Sequence, residues 1–311
     1  MPDALGLEAI AGLKVSQNVS LSDCTRFGIG GPAAVLADAA TEDVLVSAIS
    51  ALRQAGAAYT VIGGGTNLIV SDEGVAGVVL RYMNSLIAAD GEQVMAASGA
   101  VLQDLVDRSI SLGLRGLETL TGIPGWVGGA IYGNAGAYGH SMHEFVHSVR
   151  YLDAARGEIR EIENDACEFR YRDSAFKRHK DRIVLSTILD LTRDDTEKLR
   201  DTASGIRKIR DEKYPPTMRC AGSIFKNLIL AELPEPVRTE VPLKVVREGK
   251  VASAYFLERA GAKGMRRGGV EVAEYHANLI FNSGGGTAHE LRGLIAELKQ
   301  RVRERFAIEL E

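Results

Sequence analysis

Four short stretches carry residues whose types and spacing could do chemistry. "VIGGGTNLIVSD" (61–72) sets Gly63, Gly64 and Gly65 directly after an apolar run and follows them with Thr66 and Asn67. Successive glycines let a ligand approach backbone N–H groups, and a turn of such groups makes an anion-binding concavity without Lys or Arg. A phosphate is the natural ligand for it. Yet the stretch is not G-x-G-x-x-G and no G-K-[ST] follows, which excludes the dinucleotide fingerprint and the P-loop. A second cluster, "GIPGWVGGAIYGNAGAYG" (122–139), has glycine at 122, 125, 128, 129, 133, 136 and 139. That density argues against an ordinary helix interior, where each glycine costs about 1 kcal/mol. It reads either as a tightly wound structural connection or as a second ligand-facing loop. Two such loops in one domain suit a ligand with a long polar face, such as a dinucleotide.

"FRYRDSAFK" (169–177) presents Arg172 between Tyr171 and Asp173 on what reads as a strand. Such an Arg is either a surface charge or an anion clamp, because guanidinium binds carboxylates in a fork. "AGSIFKN" (221–227) puts Ser223 four residues before Asn227, with Lys226 between them. This is either a turn before a strand or a small hydroxyl acid with a cation nearby, as proton delivery requires. "HSMHEFVH" (140–147) would align His140, His143 and His147 on one helical face, a spacing zinc could use. It follows a glycine turn and no further ligand cluster is evident, so no metal is expected. In "GGVEVAEYHANLIFN" (268–282), Val270, Val272, Leu279 and Phe281 alternate with polar residues, which predicts strands with His276, Asn278 and Asn282 on a sheet surface.

The elements that must position these residues are legible in outline. Val44, Leu45, Ala48, Ile49 and Leu52 make a helical stripe that Gly56 stops. "YTVIG", "GVVLRY", "VMAAS" and "IVLSTILDL" read as strands, and "LQDLVDRSISLGL" as a helix. A polar helix, "DDTEKLRDTASGIRKIRDEKY", leads to Pro215-Pro216, a boundary signal. The chain closes on an amphipathic helix with Leu291, Leu294, Ile295, Leu298, Val302 and Phe306 on one side. Strands and helices alternate only partly, which points to an α+β or mixed α/β class and away from a doubly wound sheet.

With 311 residues the chain can hold two or three domains. A net charge of −4 without long runs of one sign gives no basic face for nucleic acid. No apolar stretch approaches the roughly 18 residues of a membrane span. "MPDALGLEAI" lacks a basic leader, so no signal peptide is expected. Cys24, Cys167 and Cys220 are far apart and odd in number, which suggests reduced thiols in a cytoplasmic protein.

Six motifs, in order, resemble the UDP-N-acetylmuramate dehydrogenases, also called UDP-N-acetylenolpyruvoylglucosamine reductases, of bacterial cell-wall synthesis. They are "TRFGIGGPA" (25–33), "VIGGGTNLIVSD", "GLETLTGIPGWVGGAIYGNAGAYG" (116–139), "YRDSAFK" (171–177), "GSIFKN" (222–227) and "GGVEVAEYHANLIFN". Each alone is weak, and six in order over nearly the whole chain are specific. The resemblance implies an α+β protein: a vanillyl-alcohol-oxidase, PCMH-type FAD-binding fold in two subdomains over residues 20–193, then a C-terminal α+β substrate domain over 194–311. It implies FAD, held by Gly63, Gly64, Gly65, Thr66 and Asn67 and by Gly122, Gly128, Gly129, Asn134 and Gly136. It implies NADPH as reductant and a sugar-nucleotide substrate bound with the help of Tyr171, Lys226 and Asn227. By the same resemblance Arg172 steadies the substrate carboxylate and enolate, and Ser223 donates the proton. A monomer without nucleic-acid or membrane partners is expected. The short span after Lys177 suggests the subtype that lacks a substrate-capping insertion.

Three positions depart from the family pattern. Leu310-Glu311 fits the start of a Leu-Glu-x-Glu motif that carries the family's catalytic Glu, and the second Glu is not in the sequence. The chain is truncated, or Glu311 serves, or protonation is impaired, and truncation is the favoured reading. Leu228 stands where proline is usual, and residues 228–253 replace a shorter link. Trp126 occupies a position that is usually Thr, where a ring would alter one wall of the FAD cleft. Two competing functions follow from the same residues. One is a flavin oxidase of this fold acting on another sugar or alcohol. The other is a non-catalytic FAD- or sugar-nucleotide-binding regulator.

Overall fold

A computed structural model describes residues 5–311. The reading of the N-terminus as lacking a leader rests partly on residues 1–4, which lie outside the described residues. The chain divides into two compact units. The first runs up to Val19 and then takes Ala33–Gly65 and Val75–Pro216; the second takes Ser20–Pro32, Thr66–Gly74 and Thr217–Glu311.

The first unit has two cores. Strands β1 (Leu13–Ser20), β2 (Pro32–Ala39), β3 (Tyr59–Ile62) and β4 (Val75–Tyr82) form a sheet in the order β1-β2-β4-β3, with β2 and β3 parallel to β4. Helix α1 (Glu42–Gln54) links β2 to β3. Thr41 caps it by accepting the Val44 N–H, Glu42 and Asp43 sit in the favourable first turn, and Gly56 ends it at φ 62°. Of the predicted stripe, Leu45, Ala48, Ile49 and Leu52 are fully buried against Val35, Ala37, Val78 and Leu80, and Val44 is half-buried at its edge. Each large aliphatic buried there stabilises by about 1.5–3 kcal/mol.

A second sheet is antiparallel throughout. Its order is Glu158–Glu163, Val146–Asp153, Arg182–Asp190, β6 (Gln93–Ala97) and β5 (Ile87–Asp90). One face buries Val94, Ala96, Val149, Tyr151 and Leu189 against Leu102, Leu105 and Val106 of α2 (Leu102–Ser111). The long polar helix Thr196–Lys213 adds Leu199 and Ala203 to that same core.

In the second unit Cys220–Ser223, Leu279–Asn282, Val270–Val272 and Arg266–Arg267 form a sheet in that order. The C-terminal helix, Ala288–Phe306, buries Leu291, Leu294, Leu298, Val302 and Phe306 against it. The segment after Leu228 folds as a meander of two-residue strands, Leu228–Ile229, Val246–Arg247 and Lys250–Val251, with a short helix Glu235–Glu240 between. Leu233, Val241 and Val251 anchor it in the core.

Asn278 and Asn282 were expected on a sheet surface, but only 3% and 6% of each is exposed. Asn282 donates to the carbonyls of Phe27 and Gly28 and accepts the N–H groups of Gly284 and Gly286. A buried amide is stable only with such partners, and a single strand pattern does not reveal them. The helical alignment of the three histidines does not form either. His140 lies on a two-residue strand, His143 in a 3₁₀ turn and His147 on the strand Val146–Asp153. They bond separately, to Glu144, Ser141 and Asp190.

Candidate active site

The glycine stretch leaves β3 and turns at Gly65, whose φ of 66° falls in the region that favours glycine. Among the described residues, the N–H groups of Gly64, Gly65 and Asn67 make no hydrogen bond within the chain. Buried or half-buried N–H groups are nearly always paired in folded proteins, and these groups of the loop, with Gly65 buried, are open to an external acceptor. The residues that follow are firmly tied. Ser71 accepts the Gly31 and Gly74 N–H groups through its carbonyl. Asp72 accepts the N–H groups of Ala288 and His289 at 2.7 and 2.9 Å, at the positive N-terminus of the long C-terminal helix. "NLIVSD" thus fixes the far end of the loop, a role that its composition did not signal.

The second glycine cluster contains a helix, α3 (Val127–Tyr132), contrary to what its glycine density suggested. Its glycines lie in the first turn, and burial of Val127, Ala130 and Ile131 offsets their cost. The segment is pinned to residues 98–102 by bonds from Leu102 N–H to Gly125, Val127 N–H to Ala100 and Gly128 N–H to Ser98. A Cβ on Gly128 would fall 2.6 Å from that of Ser98, whereas Gly129 has nothing within 4 Å. The chain itself therefore requires glycine at 128 but not at 129. Gly122 has φ 76° and lies against Arg210, and a Cβ on Gly136 would meet the carbonyl of His140 at 2.6 Å. The hydroxyls of Thr119 and Thr121, just before Gly122, are buried without a hydrogen-bond partner among the described residues.

Trp126 joins the two stretches. A Cβ on Gly64 would lie 2.9 Å from both Cδ1 and Nε1 of its indole, and one on Gly63 would lie 4.0 Å from Cε3. The ring therefore lies along the glycine loop. Asn134 (φ 42°) is turned inward: it donates to the Arg170 carbonyl at 3.0 Å and accepts the His143 N–H.

Arg172 sits in a tight turn and not on a strand. Arg170 and Asp173 exchange both backbone hydrogen bonds, which leaves Arg172 at φ 56°. A non-glycine residue held there is strained, a condition that clusters at functional sites. Lys177 Nζ bonds the Arg172 carbonyl at 2.9 Å, and the fully buried Ser174 donates to Tyr132 and caps the next turn. Among the described residues the guanidinium donates one hydrogen bond, to Gly136 O at 3.0 Å, out of five N–H groups. It lies over the exposed ring of Tyr171, 5.7 Å from the centroid. Lys177 and Ser174 lie in the motif that drew attention to Arg172, but only the fold shows that they hold it.

Ser223 ends its strand at a bulge. The register shifts between the pairs Cys220–Phe281 and Ser223–Leu279, and Gly222 takes φ 74°. Bulges re-aim side chains next to active sites. Asn278 fixes the residues beyond, bonding both the N–H and the carbonyl of Phe225 at 2.9 and 2.8 Å. Ser223 is exposed and lines a cavity of about 230 Å³ together with Asn67, Ile69, Lys299 and Glu311. Lys226, the nearest cation in sequence, pairs its ammonium with Glu311 at 2.8 Å. Asn227 is exposed beside it. Among the described residues no cluster of His, Cys, Asp or Glu could hold a metal ion, and no helix is long and apolar enough to cross a membrane.

A four-stranded sheet in which β2 and β3 run parallel to β4, an antiparallel five-stranded sheet, and a glycine loop with N–H groups unpaired among the described residues suit a flavoprotein of the PCMH-type FAD-binding class, here with a further C-terminal α+β unit. Residues 32–163 match the FAD binding domain family, and residues 214–311 match the UDP-N-acetylenolpyruvoylglucosamine reductase C-terminal domain. The reductase of that name from Solibacter usitatus is 56% identical over 98% of this chain and 97% of its own length. The Bacillus subtilis enzyme is 33% identical over 96% of this chain and 92% of its own. The crystal structure of the Thermus caldophilus enzyme superposes with a TM-score of 0.74 at 29% identity, covering 96% of this chain and 97% of that one. The chain belongs to the UDP-N-acetylenolpyruvoylglucosamine reductase family and is an FAD-containing oxidoreductase.

Proposed function

We propose that this protein reduces the enolpyruvyl group of UDP-N-acetylglucosamine enolpyruvate to give UDP-N-acetylmuramate, with NADPH as reductant, in peptidoglycan precursor synthesis. The observation that supports this most strongly is the full-length match to named reductases, beside which Arg172 sits in a braced positive-φ turn and Ser223 at a strand bulge.

The loop Gly63–Asn67, with Gly122, Gly128, Gly129 and Gly136, would hold FAD, and Asn134 would brace that wall from inside. The loop's unpaired N–H groups suit a pyrophosphate. FAD held there would supply the hydride chemistry between NADPH and the terminal vinyl carbon of the substrate. Negative charge then moves onto the substrate carboxylate. Arg172 presents free guanidinium donors for that charge, and such donors lower the barrier to the extent that they bind it more strongly in the transition state. Ser223 supplies the proton to the carbon beside the carboxylate, which completes addition of one hydride and one proton across the double bond. Tyr171, Lys226 and Asn227 are assigned to the sugar nucleotide. The enzyme acts as a cytoplasmic monomer without nucleic-acid or membrane partners.

The test is anaerobic. NADPH should bleach the flavin, and the enolpyruvyl sugar nucleotide should restore its colour while UDP-N-acetylmuramate appears. Reoxidation that requires air and ignores the sugar nucleotide would identify an oxidase instead. A flavin that NADPH cannot reduce would identify a binding protein.

A further inference from the structure

The indole of Trp126 lies along Gly63 and Gly64, and its Nε1 is one of the two ring atoms closest to the open face of Gly64. That N–H makes no hydrogen bond among the described residues. It is therefore a donor next to the unpaired N–H groups of Gly64 and Gly65. The ring cannot drift far from this position. Trp126 bridges to Val101, and both neighbouring peptides bond residues 100 and 102. An indole can only donate, so the group it serves must be an acceptor.

We propose that Trp126 is a further member of the phosphate-binding loop, with its Nε1–H donating to the pyrophosphate of the bound dinucleotide. The ring carries both functions at once: its edge donates and its face closes the glycine loop against water. A hydrogen bond to a charged oxygen in a dehydrated site is stronger than one between neutral groups. The proposal rests on the assignment of Gly63–Asn67 to the pyrophosphate.

The experiment is titration of flavin-stripped protein by calorimetry with two probes, FAD and riboflavin, which lacks phosphate. Trp126→Phe keeps an aromatic ring and removes the donor. It should weaken FAD about ten- to hundredfold, the scale of a hydrogen bond to a charged group, and leave riboflavin unchanged. Equal weakening of both probes would mean that the ring only packs. Unchanged FAD affinity would remove the donor role. Trp126 is the single tryptophan of the chain. Its fluorescence in the parent protein should therefore be quenched stoichiometrically by FAD, and a signal blind to FAD would also overturn the proposal. Gly65→Val tests the underlying assignment separately, because it strains the φ of 66°. If that variant folds and keeps its FAD affinity, the loop is not the phosphate site and the Trp126 proposal falls with it. If it loses FAD while Trp126→Phe does not, the loop stands and only the indole donor is refuted.

Discussion

Gly64→Ala adds a single methyl group and should cost far more than a methyl normally does. The backbone at Gly64 is outside the positive-φ region, so alanine meets no conformational penalty there. The obstacle is the Trp126 ring, at 2.9 Å from the new carbon at two atoms and 3.3 Å at a third. Carbon atoms settle at about 3.5–4.0 Å, so the ring or the loop must retreat by roughly half an ångström or more. The ring is held by its paired backbone, and the loop is held beyond Thr66 by Ser71 and Asp72. Forced overpacking of this kind costs about 1–3 kcal/mol, a five- to 150-fold effect on an equilibrium. Calorimetric FAD affinity and the melting temperature should both fall in Gly64→Ala. The decisive comparison is the same substitution in a Trp126→Thr background, where the ring is gone. There the alanine should be nearly silent, giving a coupling of at least about 1 kcal/mol between neighbours. Additive effects of the two substitutions would refute the steric argument and leave the glycine requirement to some other cause.

Ser223→Ala should leave NADPH-driven flavin reduction intact and slow the reoxidation by substrate, as resolved by stopped flow; equal slowing of both halves would make Ser223 structural. Arg172→Ala should lower kcat about a hundredfold or more, the effect of one lost anion-stabilising donor of about 3 kcal/mol, with Arg172→Lys recovering part of it. A fall in melting temperature without a kcat effect would assign Arg172 to structure alone. Hydrogen bonds from the N–H groups of Gly269 and Thr287 hold the Glu290 carboxyl below its ordinary range. A depressed carboxylate stabilises the fold above its unfolded pKa, and that stabilisation is lost as pH falls through the folded value. Glu290→Gln should therefore lower the melting temperature at about pH 7, and that deficit should shrink as pH falls below the ordinary glutamate range of about 4.3; a deficit independent of pH would show that charge is irrelevant to the cap. Burial pushes the Cys167 thiol up to about 12, which leaves about one thiolate in ten thousand at pH 8. A thiol reagent should spare Cys167 until the protein unfolds, and rapid labelling in the native state would contradict its burial.

The elements were legible wherever one period dominated. The α1 stripe, the strands around residues 60, 80, 95 and 186 and the last helix all follow from apolar spacing, because burial of a face is what forms them. Arg172 was expected on a strand and lies in a turn. "RYRD" has strand propensity, and the two-residue turn that it makes depends on the Lys177 and Asn134 bonds to carbonyls in it. The helix inside the second glycine cluster was missed for a related reason. Propensity counts the cost of Gly128 and Gly129 but not the tertiary bonds at residues 98–102 that hold the first turn. Asn278 and Asn282 read as surface residues because an amide satisfied by water and one satisfied by backbone look alike in a sequence.

These misreadings share one physical origin, which also explains how the site is built. Catalytic loops cannot be held by burying apolar side chains, since their own side chains must face a polar ligand. They are held instead by polar side chains that reach backward to the loop's backbone. Asn278 does this for the segment after Ser223, and Asp72 anchors the segment after the glycine loop to a helix N-terminus. Asn134 and Lys177 do it for the turn that carries Arg172. Each such bond is local in space and distant or irregular in sequence, so no periodicity announces it. A bond to backbone is also indifferent to the side chain displayed by the loop. The bracing can therefore keep Ser223 at its bulge and Arg172 at a positive φ without limiting the chemistry that either residue presents.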